Sequence, residues 1–80
     1  MYRKIDNPQE ISARFLGGSY PDEIMVFEVL RKEKGYEHFG KILYVGDNYG
    51  ELLDLRIELA KKNKGVRYWV QKGTNLWIRL

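Results

Sequence analysis

Residues 24–45, IMVFEVLRKEKGYEHFGKILYV, decide how this chain is read. Ile24 to Lys32 is dense in β-branched and aromatic residues, the composition of a strand. Lys34-Gly35 supplies a plausible two-residue turn into a second strand, Phe39 to Val45. The register of the hairpin can be tested on the sequence. It sets Glu28 opposite Lys41, Phe27 opposite Ile42, Val26 opposite Leu43 and Met25 opposite Tyr44. The acid inside the first strand then meets the base inside the second, which favours this alignment. Both faces of the hairpin are largely apolar, whereas a half-buried strand alternates. Something must therefore cover each side.

Downstream, Asn48 and Glu51 form a capping box at the start of a helix from Tyr49 to Asn63. Lys61, Lys62 and Lys64 near its end suit the helix dipole, and Gly65 stops it. Leu52, Leu53, Leu55, Ile57, Leu59 and Ala60 give it a broad apolar side, with Asp54, Glu58, Lys61 and Lys62 opposite. Arg56 projects from the middle of the apolar arc. It reads as a side chain whose stem packs while its head reaches water, or as a buried ion pair or interface contact. Gly46 and Gly50 fall short of a dinucleotide-binding fingerprint, and a capped turn explains them.

Upstream, Asn7-Pro8-Gln9-Glu10 has the form of a helix start. Ile11, Phe15 and Leu16 follow at helical spacing before Gly17-Gly18, which predicts a short N-terminal helix. Ser19-Tyr20-Pro21-Asp22 reads as a turn.

The last fifteen residues, VRYWVQKGTNLWIRL (66–80), read as a second hairpin. A three-residue loop at Gly73-Thr74-Asn75 pairs Val70 with Ile78 and Trp69 with Arg79. It places Val66, Tyr68, Val70, Leu76, Ile78 and Leu80 on one apolar face, and Arg67, Trp69, Gln71, Trp77 and Arg79 on the other. A two-residue loop would mix apolar and charged residues on both faces, so burial selects the odd loop. The face with the tryptophans can lie under the N-terminal segment or against the apolar back of the first hairpin, serve as a protein interface, or stack single-stranded nucleic acid.

The expected fold is α+β: a four-stranded antiparallel sheet of two hairpins, one amphipathic helix packed on one face, and a short N-terminal helix. Eighty residues make one small domain, 1–80, with a thin core and no cysteine to staple it. Starting at Met1 and ending on a strand-like run, it is expected to be a complete small reading frame. It has no run of about 18 apolar residues and no leader-like start, so a cytoplasmic protein is expected. Residues 1–40 carry six Lys/Arg against seven Asp/Glu, and residues 41–80 carry eight against four. A positive C-terminal half suits an acidic protein or a polyanion.

No catalytic, cofactor or metal motif is present. His38 is the sole histidine and has no second ligand at useful spacing. Asp47, Glu51 and Asp54 belong at a helix start on dipole grounds. The expectation is a non-enzyme without cofactor: a small protein-interaction module, a regulator, inhibitor or adaptor, able to self-associate as a homodimer. The homodimer is expected to form through the sheet face bearing Met25, Phe27, Trp69 and Trp77, or through a strand edge. The candidate partner-binding residues are Arg56, Arg67, Trp69, Trp77 and Arg79. The alternative is a nucleic-acid-binding accessory protein that uses the basic aromatic hairpin.

Overall fold

The computed structural model describes residues 1–12, 15, 19–32 and 38–73. Its elements in chain order are β1 (Tyr2–Lys4), β2 (Glu10–Ser12), β3 (Ile24–Lys32), β4 (His38–Gly46), α1 (Tyr49–Lys62) and β5 (Arg67–Lys72). The five strands form one antiparallel sheet. β4 and β3 are its centre, β5 flanks β3, and β1 and β2 both pair with the outer edge of β4. One helix packs on this sheet, so the fold is α+β as the sequence predicts. The Lys34-Gly35 turn and the second arm of the C-terminal hairpin, Leu76 to Leu80, lie outside the described residues.

The central hairpin pairs Glu28 with Lys41 and Phe27 with Ile42, as expected. The register then slips by one residue: Val26 pairs with Tyr44 and Met25 with Val45. Leu43 is the extra residue of a β-bulge, and Leu30 is a second one on β3, between Val29 and Arg31. A bulge inserts a residue without a partner and reverses the side-chain alternation beyond it. Ile42 and Val45, three positions apart, consequently share a face and a core cluster.

Two layers cover the two sides. On one, Leu52 packs with Val26 and Val70, flanked by Ile24, Tyr44, Leu53, Leu55 and Leu59. On the other, Met25, Phe27, Ile42 and Val45 are covered by Ile5, Ile11 and Tyr20. The cover of the second side is the N-terminal segment, which corrects the expectation of a helix opening at Asn7. Asn7 takes φ 51°, in the left-handed region that an N-cap does not use. Glu10, Ile11 and Ser12 pair with Lys41, Gly40 and Phe39 instead. An open stretch on the edge of β4 offers backbone bonds that outweigh local helix signals. Residues 13, 14 and 16–18 of the expected helix lie outside the described residues.

Half of the expected capping box is present: the Glu51 amide donates to Asn48 Oδ1 at 3.0 Å, but the Glu51 side chain does not return to the Asn48 amide. The carboxylate of Glu51 pairs with the Met1 ammonium at 3.1 Å, beside Asp47 at 2.7 Å. These two acids hold the ammonium's pKa above its ordinary value, with the hydrogen bond to Asp47 the larger cause. The inward stripe is Leu52, Leu55, Arg56 and Leu59, at the i, i+3, i+4, i+7 spacing of a core face. Ile57 and Ala60, expected on the apolar side, are exposed.

Backbone approach is closest at Gly73, whose amide donates to the Glu23 carbonyl at 2.6 Å. A Cβ there would sit 1.7 Å from the Tyr20 carbonyl oxygen. Gly73→Ala is therefore expected to cost on the order of 3 kcal/mol through forced backbone displacement. Gly50→Ala, where a Cβ meets nothing closer than Asn48 Oδ1 at 3.4 Å, should be neutral or stabilising by up to about 1 kcal/mol. Urea melts of the two variants check the contrast.

Across β4, Arg31 of β3 reaches Glu10 of β2, and this contact holds the Glu10 carboxyl below the ordinary glutamate range. A carboxyl lowered by folding stabilises above its unfolded pKa, and that stability is lost as pH falls through the folded value. Glu10→Gln should accordingly flatten the acid limb of the stability profile below about pH 5 while leaving the neutral-pH slope unchanged, as read by melts across pH.

Candidate functional site

The strand β5 alternates exposed and buried residues: Arg67 and Trp69 are exposed, while Tyr68 and Val70 are buried. Its buried side faces α1. Its exposed side lies on the face opposite the helix, where Trp69 stands next to Phe27, Arg67 next to Val29 and Gln71 next to Met25. Ile42, Phe27 and Trp69 form one row across β4, β3 and β5. Ile42 and Phe27 are buried, whereas Trp69 keeps 55% of its surface exposed. The reading that places Trp69 under the N-terminal segment is thus corrected. That segment covers Met25 and Phe27 over the β4 half of the sheet, and its strands attach to the far edge of β4.

The two covers are offset diagonally. The N-terminal strands hold to β4, while α1 packs chiefly on β5 and β3 and only lightly on β4. Among the described residues, two corners are left open, one on each face. The corner on the helix side of β4 closes on itself: Arg31 lies 4.7 Å over the Phe39 ring and reaches Glu10, while Lys41 stands between Glu28 and Glu10 in the pairing. At the other corner, Arg67 and Trp69 have no ion-pair or ring partner among the described residues.

Arg56 belongs to neither corner. Its half-buried guanidinium donates from Nε to the Tyr68 carbonyl at 2.8 Å, which ties α1 to β5 on the side facing away from Trp69. The structure thus brings together Arg67 and Trp69 and sets Arg56 apart from them. Trp77 and Arg79 lie outside the described residues. The homodimer face expected from Met25, Phe27, Trp69 and Trp77 is corrected for its first two members, which are buried within the chain at 0% and 7% exposure. The diagonal offset that exposes Trp69 has no local sequence signal. It depends on where the N-terminal strands attach.

One further hollow, of about 330 Å³, opens between β1 and β2 over Ile42, walled by Ile5, Pro8, Ile11 and Tyr20. Its acid, Glu10, is engaged by Arg31. Among the described residues no group of three or more His, Cys, Asp or Glu is placed to hold a metal ion, and no helix is long and apolar enough to cross a membrane. No protein-family model, curated protein or solved structure matches this chain.

Arg56→Met keeps the apolar stem and removes the donor, leaving the Tyr68 carbonyl without its partner. A loss of about 1–3 kcal/mol is expected in a chemical melt, while Arg67→Met, at an exposed position, should change stability by less than about 0.5 kcal/mol.

Proposed function

We propose that this protein is a small, non-enzymatic protein-interaction module that docks through the Arg67–Trp69–Gln71 face of β5. One observation carries the reading. In a chain with a thin core, a tryptophan next to a buried phenylalanine is left more than half exposed. The equivalent corner on the other face is closed by its own charges. Tryptophan and arginine are the residues in which interface energy concentrates. The module acts as a regulator, inhibitor or adaptor of a larger protein, or by pairing with a second copy of itself, in the cytoplasm. The other reading, a nucleic-acid accessory protein, calls for successive aromatic positions along a strand. Among the described residues, the sheet surface beside Trp69 is occupied by Ile5, Ile11 and Tyr20.

Trp69→Ala separates the readings. Its melting midpoint should fall by no more than about 1 kcal/mol equivalent, since the residue is exposed and only a cross-strand pair with Phe27 is lost. Light scattering at micromolar concentration should show any self-association of the wild type weakened, and immobilised variant should fail to retain a host protein that the wild type holds. Binding of an unstructured oligonucleotide should be unaffected. A log–log salt slope near −3, as about four phosphates at ~0.7 each would give, with binding abolished by Trp69→Ala, would overturn the reading in favour of nucleic acid.

A further inference from the structure

The ion pairs of the described residues all join groups within residues 1–51: Met1 with Asp47 and Glu51, Arg3 with Glu23, and Arg31 with Glu10. Past Glu51 the pattern changes. Lys61, Lys62 and Lys64 at the end of α1, and Arg67 at the start of β5, are exposed and have no ion-pair partner among the described residues. Asn63 and Gly65 turn the chain between them, with Gly65 at φ 92° and the Val66 amide bonded to the Asn63 carbonyl at 3.1 Å. Four cations are thereby held at one end of the sheet, within eight positions of Trp69, and no acid follows Glu58 in the sequence. Lysines in the last helical turn are explained by the helix dipole. Arg67, five residues beyond the end of α1 at Lys62, is not.

We infer that the partner of the Trp69 face is an acidic protein segment, its carboxylates held by Lys61, Lys62, Lys64 and Arg67 and an apolar side chain seated on Trp69. This rests on the protein-interaction reading above and specifies the partner's chemistry. An extended segment of about eight residues, at ~3.4 Å per residue, spans some 27 Å; the molecule measures 31 Å along its longest axis. Such a segment is long enough to run from the end of α1 onto β5. Unneutralised like charges repel one another within a Debye length of about 8 Å, so an anionic segment relieves that repulsion as it docks. Charge gives the approach and orientation, and the tryptophan supplies the buried anchor. Nucleic acid would satisfy the cations, but this surface offers it a single exposed aromatic among the described residues.

The test uses the full chain and a dye-labelled twelve-residue peptide, six glutamates followed by a leucine- and phenylalanine-containing stretch. Fluorescence anisotropy in low salt should give micromolar binding. The affinity should fall at least tenfold when glutamine replaces glutamate in the peptide, and at least tenfold in the Lys61→Gln/Lys62→Gln/Lys64→Gln variant. It should fall severalfold in Trp69→Ala. Circular dichroism melts confirm that each variant is folded. Peptide affinity unchanged by the lysine substitutions overturns the inference. So does tighter binding of a twelve-nucleotide thymidine oligomer with the same lysine dependence. If the lysine variant still self-associates or retains its protein partner like the wild type while Trp69→Ala does not, the acidic-segment inference fails and the interaction reading stands. If Trp69→Ala behaves as wild type in every assay, both fail.

Discussion

The fold rests on a central hairpin that is apolar on both sides. A β3–β4 pair with Met25, Phe27, Ile42 and Val45 on one face and Ile24, Val26 and Tyr44 on the other cannot stand in water on either. Only one of the two faces is given to α1. The other falls to the N-terminal residues, which are short of apolar side chains. Ile5 and Ile11 suffice because the two β4-pairing strands hold them at the right place, joined by Tyr20 from the turn into β3, whose carbonyl accepts from the Glu23 amide. The bulge at Leu43 is part of this arrangement. Its carbonyl accepts from the Ile5 amide at 2.8 Å, so the position that breaks the β3–β4 register also anchors the segment between β1 and β2.

Arg56 shows how the helix is kept in register with the sheet. It occupies a core-facing position between Leu52 and Leu59, where a leucine would satisfy the hydrophobic pattern. The half-buried arginine brings one N–H to a strand carbonyl. Burial of apolar surface is non-directional, and a helix on a flat sheet can slide. A directed hydrogen bond at one point selects one placement among many of similar hydrophobic gain. The interaction thus serves orientation, and it lies on the opposite side of β5 from Trp69.

Element type and core membership were legible where residue pattern and burial agree. The Glu28–Lys41 and Phe27–Ile42 pairs, the helix with its Asn48 cap, and the Tyr68/Val70 against Arg67/Trp69 alternation all follow from period and charge. The slip to Val26–Tyr44 was not legible, since a bulge turns on the shape of the whole sheet and leaves no mark in alternation when residues on both sides are apolar. The strand at Glu10–Ser12 was misread as helix for a related reason. Asn7, Pro8 and Glu10 carry good local capping chemistry, but the edge of β4 offers three residues a set of backbone bonds that sequence neighbours cannot reveal. Arg56 was seen as anomalous in its arc, and its partner, a backbone carbonyl, has no residue identity to read.

The candidate site follows from the same geometry. Two covers, each too small for the face it protects, are displaced toward opposite edges of the sheet, one toward β4 and one toward β5. Among the described residues that leaves one open corner per face, and the two corners have different chemistry. Near β4 the exposed positions carry opposite charges that meet, with Arg31 over Phe39 and against Glu10, a surface finished for water. Near the start of β5 they carry charges of one sign beside an indole, with the cations of α1's last turn close in sequence. A self-neutralised corner has little electrostatic reason to bind anything, since its charges have already found partners and are screened by solvent. A corner of one sign repels itself and attracts its opposite, and an exposed indole adds area that water solvates poorly. The asymmetry between two otherwise equivalent gaps is the physical ground on which the Trp69 corner, rather than the other, is proposed as the docking surface.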